Sequence, residues 1–549
     1  MFADEIRESS NVNREYPLPH IKYNGSLTLT LLEFFTFDDS RLTILYLAHL
    51  KNIFMADNLY DFGMVGIGVM GSNFLLNMAD NGYKVIGFDL DAAKAKHLEE
   101  QATPGTIVKG VVTLQEMVLQ LDKPRRIMML VPAGKPVDNV IASLLPFLEP
   151  NDVVIDGGNS HYTDTLRRVK ELEQKDIHFM GMGVSGGEEG ARKGPSIMPG
   201  GDLSAWKRVK PMLEAVSAKV DSVPCVAYMG KDAAGHYVKM VHNGIEYAIM
   251  QLISEAYDLL KNGLGLDNEE LSDVFKKWNE EELQSFLIEI TSEIFLRKDD
   301  ETGEHLVDVI SDKAGSKGTG KWTSQDAMEL PVSIPTIDIA VAMRTLSGYK
   351  EERVAASALY HSKTKELKGK EHKDIKKIKD ALYFSIVIAY AQGLAMLHKA
   401  SAELNMEIPL ADVVKIWRGG CIIRSSLLET FYKAFKKDKS LSNILLNKNI
   451  ARLVKKTEKN ARNVIALALK SKIPVTGIAS AVGYFDAYCS ANMPTNLIQA
   501  QRDFFGAHTY QRIDKEGVFH TEWVEDVVKE KKHHAETENP QPLQPEERK

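Results

Sequence analysis

Lys239, His242, Asn243 and Glu246 fall at i, i+3, i+4 and i+7 in the run Lys239-Met-Val-His242-Asn243-Gly-Ile-Glu246-Tyr247. At 3.6 residues per turn a helix places all four on one face. Together they supply a base, an acid and hydrogen-bonding groups along a single line. An amphipathic helix normally turns apolar residues inward and leaves charge in water. Here Met240, Val241, Ile245, Ala248, Ile249 and Leu252 are available for packing, so the polar line is open to another purpose. For the four residues taken alone, a solvated charged face is the competing explanation.

The surrounding region sharpens the choice. Strand signals fade after about residue 232 and long helical periods run to about 500. Within them Leu271, Asp273, Val274, Lys276 and Trp278 recur as Leu410, Asp412, Val413, Lys415 and Trp417, at a constant offset of 139 residues. Ala256 and Ala395 keep the same offset, which indicates a duplicated helical unit. The polar line is not duplicated: Ile378 stands opposite Lys239, and Ser385 opposite Glu246. A purely structural line would be expected in both copies, so the first copy reads as functional.

Upstream, from about 59 to 230, short apolar runs alternate with helical periods. Strands are expected at Phe62–Gly66, Lys84–Asp89, Arg126–Val131, Asp152–Asp156 and His178–Gly181, in βαβ units with a parallel sheet. Gly66-Ile67-Gly68-Val69-Met70-Gly71 follows the first strand and opens a helix. That is the context in which G-x-G-x-x-G binds a dinucleotide pyrophosphate at a helix N-terminus. Asp89 ends the second strand, where a carboxylate accepts hydrogen bonds from a free ribose 2′-hydroxyl and repels a 2′-phosphate. Leu90 and Asp91 add no cation, while Lys94 and Lys96 are near enough to compensate in part. A second glycine-rich run, Gly315-Ser-Lys317-Gly-Thr-Gly320-Lys321-Trp322, follows the strand-like Leu306–Ile310. It nearly fits a P-loop, but Trp322 replaces the hydroxyl that must bind magnesium. Nucleotide hydrolysis is therefore disfavoured, and the two lysines suit a phosphate on a small substrate.

With 549 residues the chain should form several domains. The expected architecture is an α/β Rossmann-type N-terminal domain (55–231), then a large all-α domain with an internal duplication (232–500). A C-terminal segment (501–549) follows, disordered after about 529 where the sequence turns polar and Pro-rich. Residues 1–54 read as an extension outside the fold, since Met55 would make an ordinary start. A net charge of -7 gives no reason to expect nucleic acid or an anionic membrane as partner. No run of about 18 uncharged apolar residues suggests a membrane span. Acidic Asp4, Glu5 and Glu8 do not suit a signal peptide. Three scattered cysteines suit neither a disulfide framework nor a metal site, and fit a reducing cytoplasm.

Six blocks together resemble the decarboxylating 6-phosphogluconate dehydrogenase family of the pentose phosphate pathway. They are GIGVMGSNFLLN (66–77), DGGNSHYTDT (156–165), GVSGGEEGAR (183–192), KMVHNGIEY (239–247), KGTGKWT (317–323) and QRDFFGAHTY (501–510). The resemblance spans roughly 57–525 and implies oxidation and decarboxylation of 6-phosphogluconate to ribulose 5-phosphate and CO2. It implies that Lys239 is the base for the C3 hydroxyl, and Glu246 the acid that protonates C1 of the enediol. Lys239 must then be neutral and Glu246 protonated, which calls for burial. It further implies sugar-acid contacts from Asn159, Ser185, Gly186, Gly187, His242, Asn243 and Tyr247. A phosphate clamp of Lys317, Arg344, Arg502 and His508 is implied as well, the last two delivered across an obligate homodimer. The implied cofactor is NADP, held by the glycine motif, Asp89–Asp91, Val131-Pro132-Ala133 and Asn159. The chain departs from the family pattern at Asp89-Leu90-Asp91, where Asn-Arg-Ser/Thr is usual, and at Pro132, where Lys is common. Use of NAD at least comparable to NADP is therefore expected. Two other functions compete: a dehydrogenase of another β-hydroxyacid, and a dinucleotide sensor without catalysis.

Overall fold

The computed structural model describes residues 59–360, 372–523 and 530–533. The expected extension 1–54 lies outside the described residues, as does most of the tail. Residues 530–533, within the stretch expected to be disordered, instead pair as an antiparallel strand with Val518–Thr521.

The apolar runs of the first half form β1 (Phe62–Val65), β2 (Val85–Phe88), β3 (Val108–Val111), β4 (Arg126–Met129), β5 (Val153–Asp156), β6 (His178–Ser185) and β7 (Ser196–Gly201). They make one sheet in the order β3-β2-β1-β4-β5-β6-β7. All neighbours are parallel except β6 and β7. The five expected strands are present, and β3 and β7 are additions. Both break the usual signals: β3 carries a lysine and a glycine in four residues, and β7 contains Pro199, Gly200 and Gly201. Such a strand is tolerated at a sheet edge, and these two strands are the edges. Strand order reverses between β1 and β4, so a crevice opens beyond the carboxyl ends of the strands. The loops 66–71, 130–134 and 157–161 all leave the sheet at that edge. Helices α1 (Val69–Asp80) and α2 (Ala92–Glu100) follow β1 and β2.

The second half is helical: α3 (Ala234–Asp258), α4 (Asn268–Asn279), α5 (Thr319–Glu329), α6 (Pro335–Ser347), α7 (His372–Glu403), α8 (Leu410–Ile416), α9 (Thr476–Tyr488) and α10 (Thr495–Gly506). The 139-residue repeat relates α3 to α7 and α4 to α8. The related helices α3 and α7 pack together. Gly393 permits it, because a Cβ there would lie 2.5 Å from the Ile245 side chain. Ile378 and Ser385 of α7 are buried, with the Ser385 hydroxyl donating to the Ala381 carbonyl at 2.9 Å. Where the first copy has its polar line, the second copy has core. The segment Lys373–Glu403 is long and apolar enough to cross a membrane, yet 89% of its most apolar window lies inside the fold. It is the central helix of a protein core.

The strand-like Leu306–Ile310 is a correction: Leu306–Val309 is a single helical turn, with Asp308 accepting from Asn268 at 2.7 Å and from Lys261. The glycine-rich run after it therefore lacks the strand a P-loop requires.

Candidate active site

Helix α3 packs directly on β6 and β7. Close approach needs glycine on both sides. A Cβ on Gly235 would sit 2.2 Å from the Gly181 carbonyl oxygen, and one on Gly183 would sit 2.4 Å from Lys239 Cβ. The stem of Lys239 thus lies across the strand that ends in Ser185-Gly186-Gly187. Lys239 is 7% exposed, His242 is buried, Asn243 and Glu246 are partly buried, and Tyr247 is buried again. The polar face is turned into the protein, so the solvated-face explanation fails.

Hydrogen bonds fix the order of these groups. Asn243 Nδ2 donates to Thr319 Oγ1 at 3.1 Å, which leaves its Oδ1 facing His242 Nδ1, also at 3.1 Å. A neutral His242 then donates from Nδ1 and accepts at Nε2, where Ser185 Oγ lies 3.3 Å away. Burial, the largest cause, pushes His242 well below the usual histidine range, so neutrality is its working state. Glu246 Oε2 is 3.8 Å from His242 Nδ1, one turn along. The Trp417 ring meets the imidazole edge-on, with centroids 5.5 Å apart.

Burial drives the two ends of the line in opposite directions. The Lys239 amine is pushed down from its ordinary value by loss of water, against the opposing pull of Glu246 and Cys421. The Glu246 carboxyl is pushed up for the same reason, against Lys239 and Arg344. An amine pushed down and a carboxyl pushed up, on one wall of one site, are shifted toward base and acid for a compact substrate.

The α5 end of the site is built on Tyr247. A Cβ on Gly320 would fall 2.5 Å from that ring, so glycine alone lets α5 lie against it. On another side the Arg344 guanidinium stacks 3.5 Å from the ring centroid and donates to the Gly315 carbonyl at 3.3 Å. Arg344 and the loop of exposed Lys317 therefore belong to one locality. Gly186 and Gly187 have φ of 122° and 65°, and a Cβ on Gly186 would meet the Gly420 carbonyl at 2.6 Å. Arg502 and His508 do not join this face in a single chain. Arg502 donates to Gln499 at 3.1 Å, and His508 packs on Phe505, both within the C-terminal arm.

The residues at the carboxyl edge of β1 fit a dinucleotide. Gly66 turns at φ 88°, where a Cβ would lie 2.6 Å from the Leu130 carbonyl, and one on Gly71 would lie 2.0 Å from the Gly66 carbonyl. A Cβ on Gly68 would meet nothing within 4 Å, and no side chain caps the N-terminus of α1. Open space before bare helix N–H groups is what a pyrophosphate requires. Asp89 lies at the end of β2, with Lys94 Nζ 3.3 Å from both of its oxygens. Leu90 is 88% exposed. Asp91 caps α2 through the Ala93 N–H at 2.9 Å. Asn159 stands exposed on the loop after β5, and Val131-Pro132-Ala133 lie on the loop after β4.

Sequence reasoning passed over Asp326. Buried on α5, it accepts from Tyr162 at 2.5 Å and from Tyr237. It thereby ties the loop of Asn159 to α3, two residues before Lys239. Both phenols are held above the usual tyrosine range, chiefly by burial. A lone aspartate in a helical period carries no signal of such a role. Thr319, the partner of Asn243, and Trp417 went unmarked for the same reason.

Two family models match the chain. Residues 61–230 match the NAD binding domain of 6-phosphogluconate dehydrogenase, and residues 235–523 match the C-terminal domain of 6-phosphogluconate dehydrogenase. The NADP(+)-dependent, decarboxylating 6-phosphogluconate dehydrogenase of Bacillus subtilis is 50% identical over 463 residues, covering 84% of this chain and 98% of its own. The decarboxylating enzyme of Escherichia coli is 48% identical over 464 residues, covering 84% and 99%. Among solved structures, a Plasmodium falciparum 6-phosphogluconate dehydrogenase is similar, with a TM-score of 0.82 at 42% identity. The match covers 84% of this chain and 100% of that one. That enzyme is described in its apo form, with its cofactor NADP+, and with its substrate 6-phosphogluconate.

Proposed function

The chain belongs to the 6-phosphogluconate dehydrogenase family, and from that premise we propose how its own residues carry the reaction. The enzyme oxidatively decarboxylates 6-phosphogluconate to ribulose 5-phosphate and CO2, using a nicotinamide dinucleotide. When bound, the nicotinamide supplies the hydride acceptor. Lys239, whose amine is pushed down by burial, takes the proton of the C3 hydroxyl as the hydride departs. The product is a β-keto acid. Its carbonyl oxygen accepts the electron pair when the C1 carboxylate leaves as CO2, and takes back the proton from Lys239 to give the enediol. Glu246, whose carboxyl is pushed up by burial, gives a proton to C1 of the enediol. Ser185, Gly186, Gly187, His242, Asn243 and Asn159 hold the sugar acid, with neutral His242 orienting Ser185 and Asn243. Tyr247 joins these sugar-acid contacts, and Lys317 and Arg344 address the phosphate end. The observation that carries this reading is the opposite displacement of two titratable groups on one buried helical face.

In this reading 55–231 serve the cofactor, 232–500 the substrate and the dimer contact, and the segment from 501 reaches a second copy. There Arg502 and His508 complete the neighbour's phosphate clamp. The exposed apolar residues Leu497, Ile498, Phe504 and Phe505 on α10 support an arm of this kind. Asp89, exposed Leu90 and Pro132 favour NAD at least as much as NADP, because the charge of Lys94 already meets a carboxylate. Three free cysteines, two of them buried, fit a cytoplasmic setting. The test is formation of reduced nicotinamide from 6-phosphogluconate with NAD and NADP side by side. Equal or greater rates with NAD support the reading of Asp89. A strong NADP preference removes that reading and leaves the enzyme, and inactivity with both removes the enzyme.

A further inference from the structure

Helix α10 buries one side chain, and it is a carboxylate. Asp503 is 0% exposed, and four donors converge on it. Its Oδ1 accepts the Thr509 N–H at 2.9 Å and lies 2.8 Å from His520 Nδ1. Its Oδ2 accepts the Thr521 N–H at 3.0 Å and the Trp523 indole N–H at 2.9 Å. A carboxylate offers about four lone-pair sites, so this one is fully used. Around it the chain reverses through Ala507 (φ 50°) and Thr509 (φ 58°), both in the left-handed region that costs a non-glycine residue energy. It returns as Tyr510–Gln511, paired antiparallel with Val518–Thr521. Phe504 and Phe505 face outward, while Phe519 is buried with its ring 6.2 Å from that of Tyr510. Beside that ring the arm has a polar nucleus, the carboxylate and its four donors.

Arg502 precedes that nucleus by one residue and His508 follows it by five. Gln499 closes a ring between them: its Oε1 accepts from Arg502 at 3.1 Å, and its Nε2 donates to the Thr509 carbonyl at 2.6 Å. Thr509 is also the residue whose N–H Asp503 holds. The His508 ring lies over Gly506, where a Cβ would approach it to 2.7 Å.

We infer that Asp503 is a positioning residue that sets Arg502 and His508 in register within the arm, so that a preformed pair meets the substrate phosphate. The inference rests on the reading, proposed above, that these two residues clamp that phosphate. A preformed clamp binds more tightly because ordering is complete before the phosphate arrives.

Asp503→Asn in the full chain keeps the shape and sets an amide NH2 against two of the donors. Its KM for 6-phosphogluconate should rise roughly ten- to a hundredfold, the usual penalty for clamp groups displaced by about 1 Å. The KM for the dinucleotide and the oligomeric state in sedimentation should stay at wild-type values. An unchanged KM for 6-phosphogluconate overturns the inference, as does a parallel loss of dinucleotide binding and assembly. Trp523→Phe removes a single donor and decides the matter if Asp503→Asn does not accumulate folded. A rise of about threefold to tenfold is expected, the scale of one ordinary hydrogen bond among the four, and no rise overturns the inference. Arg502→Ala separates the two claims. If it raises that KM and both nucleus variants do not, the clamp stands and the role of Asp503 falls. If it too leaves KM unchanged, the clamp reading falls together with the inference.

Discussion

Gly183→Ala is a one-carbon test of how tightly the structure holds its base. The added Cβ would lie 2.4 Å from Lys239 Cβ, 2.9 Å from its Cγ and 3.3 Å from the Gly235 carbonyl. Carbon contacts are favourable only at about 3.5–4.0 Å, so roughly 1 Å of movement is required. Lys239 Cβ is fixed by the helix backbone, and α3 already lies against β6 and β7 through Gly235, Gly181 and Met198. Helix and strand must therefore part locally, and the lysine moves with the helix. A misplacement of about 1 Å at a reacting group costs roughly 10²-fold, or about 2.7 kcal/mol at 1.36 kcal/mol per tenfold. Overpacking should lower stability by about 1–3 kcal/mol, which still leaves a folded enzyme. Steady-state formation of reduced nicotinamide should show kcat reduced about a hundredfold, with the KM for dinucleotide unchanged. A folded Gly183→Ala enzyme with wild-type kcat would refute the claim that this strand positions Lys239.

Three further outcomes follow from the same geometry. Activity should fall at low pH as Lys239 gains a proton and at high pH as Glu246 loses one. Glu246→Gln, always neutral, should keep the acid limb of the kcat/KM profile and lose the alkaline limb; an unchanged profile would remove Glu246 from the chemistry. Glu255, buried on α3 with its oxygens accepting the Gly477 and Ile478 N–H groups at 2.7 and 2.9 Å, caps α9 from another helix. Glu255→Ala should cost about 2–4 kcal/mol by stranding those donors, read as a lowered Tm in calorimetry, and a Tm within error of wild type would contradict the cap. Asp89→Asn should raise kcat/KM for NADP relative to NAD by about tenfold or more, equivalent to about 1.4 kcal/mol, and an unchanged ratio would place cofactor choice elsewhere.

Features with a local pattern were legible in the sequence. The helical period carried Lys239 to Glu246 onto one face, and the glycine spacing after β1 marked the dinucleotide end. The constant offset between Trp278 and Trp417 revealed two related helical units. What stayed hidden depends on distant pairings. Strand β7 was hidden by its Pro199 and two glycines, which are tolerated at a sheet edge that only the fold defines. The run Leu306–Ile310 looked like a strand, but contacts of Asp308 with Lys261 and Asn268 wind it into a turn. Asp326, Asp503 and Glu255 are single acids in helical sequence. Each acquires its role largely from donors that are distant in sequence, up to 223 residues away. Periodicity reports a residue's own face and says nothing of what the rest of the chain brings there.

The most direct test of the central claim compares wild type with Lys239→Met, which keeps the buried stem and removes the amine. Reduced nicotinamide, CO2 and ribulose 5-phosphate from 6-phosphogluconate would be measured alongside binding of both ligands by calorimetry. Wild type should form the three products in equal amounts. Lys239→Met should bind both ligands and turn over at least about 10²-fold more slowly, the scale of a lost general base. Undiminished turnover by a folded Lys239→Met enzyme would contradict the assignment of the base, and with it the reading of the buried helical face.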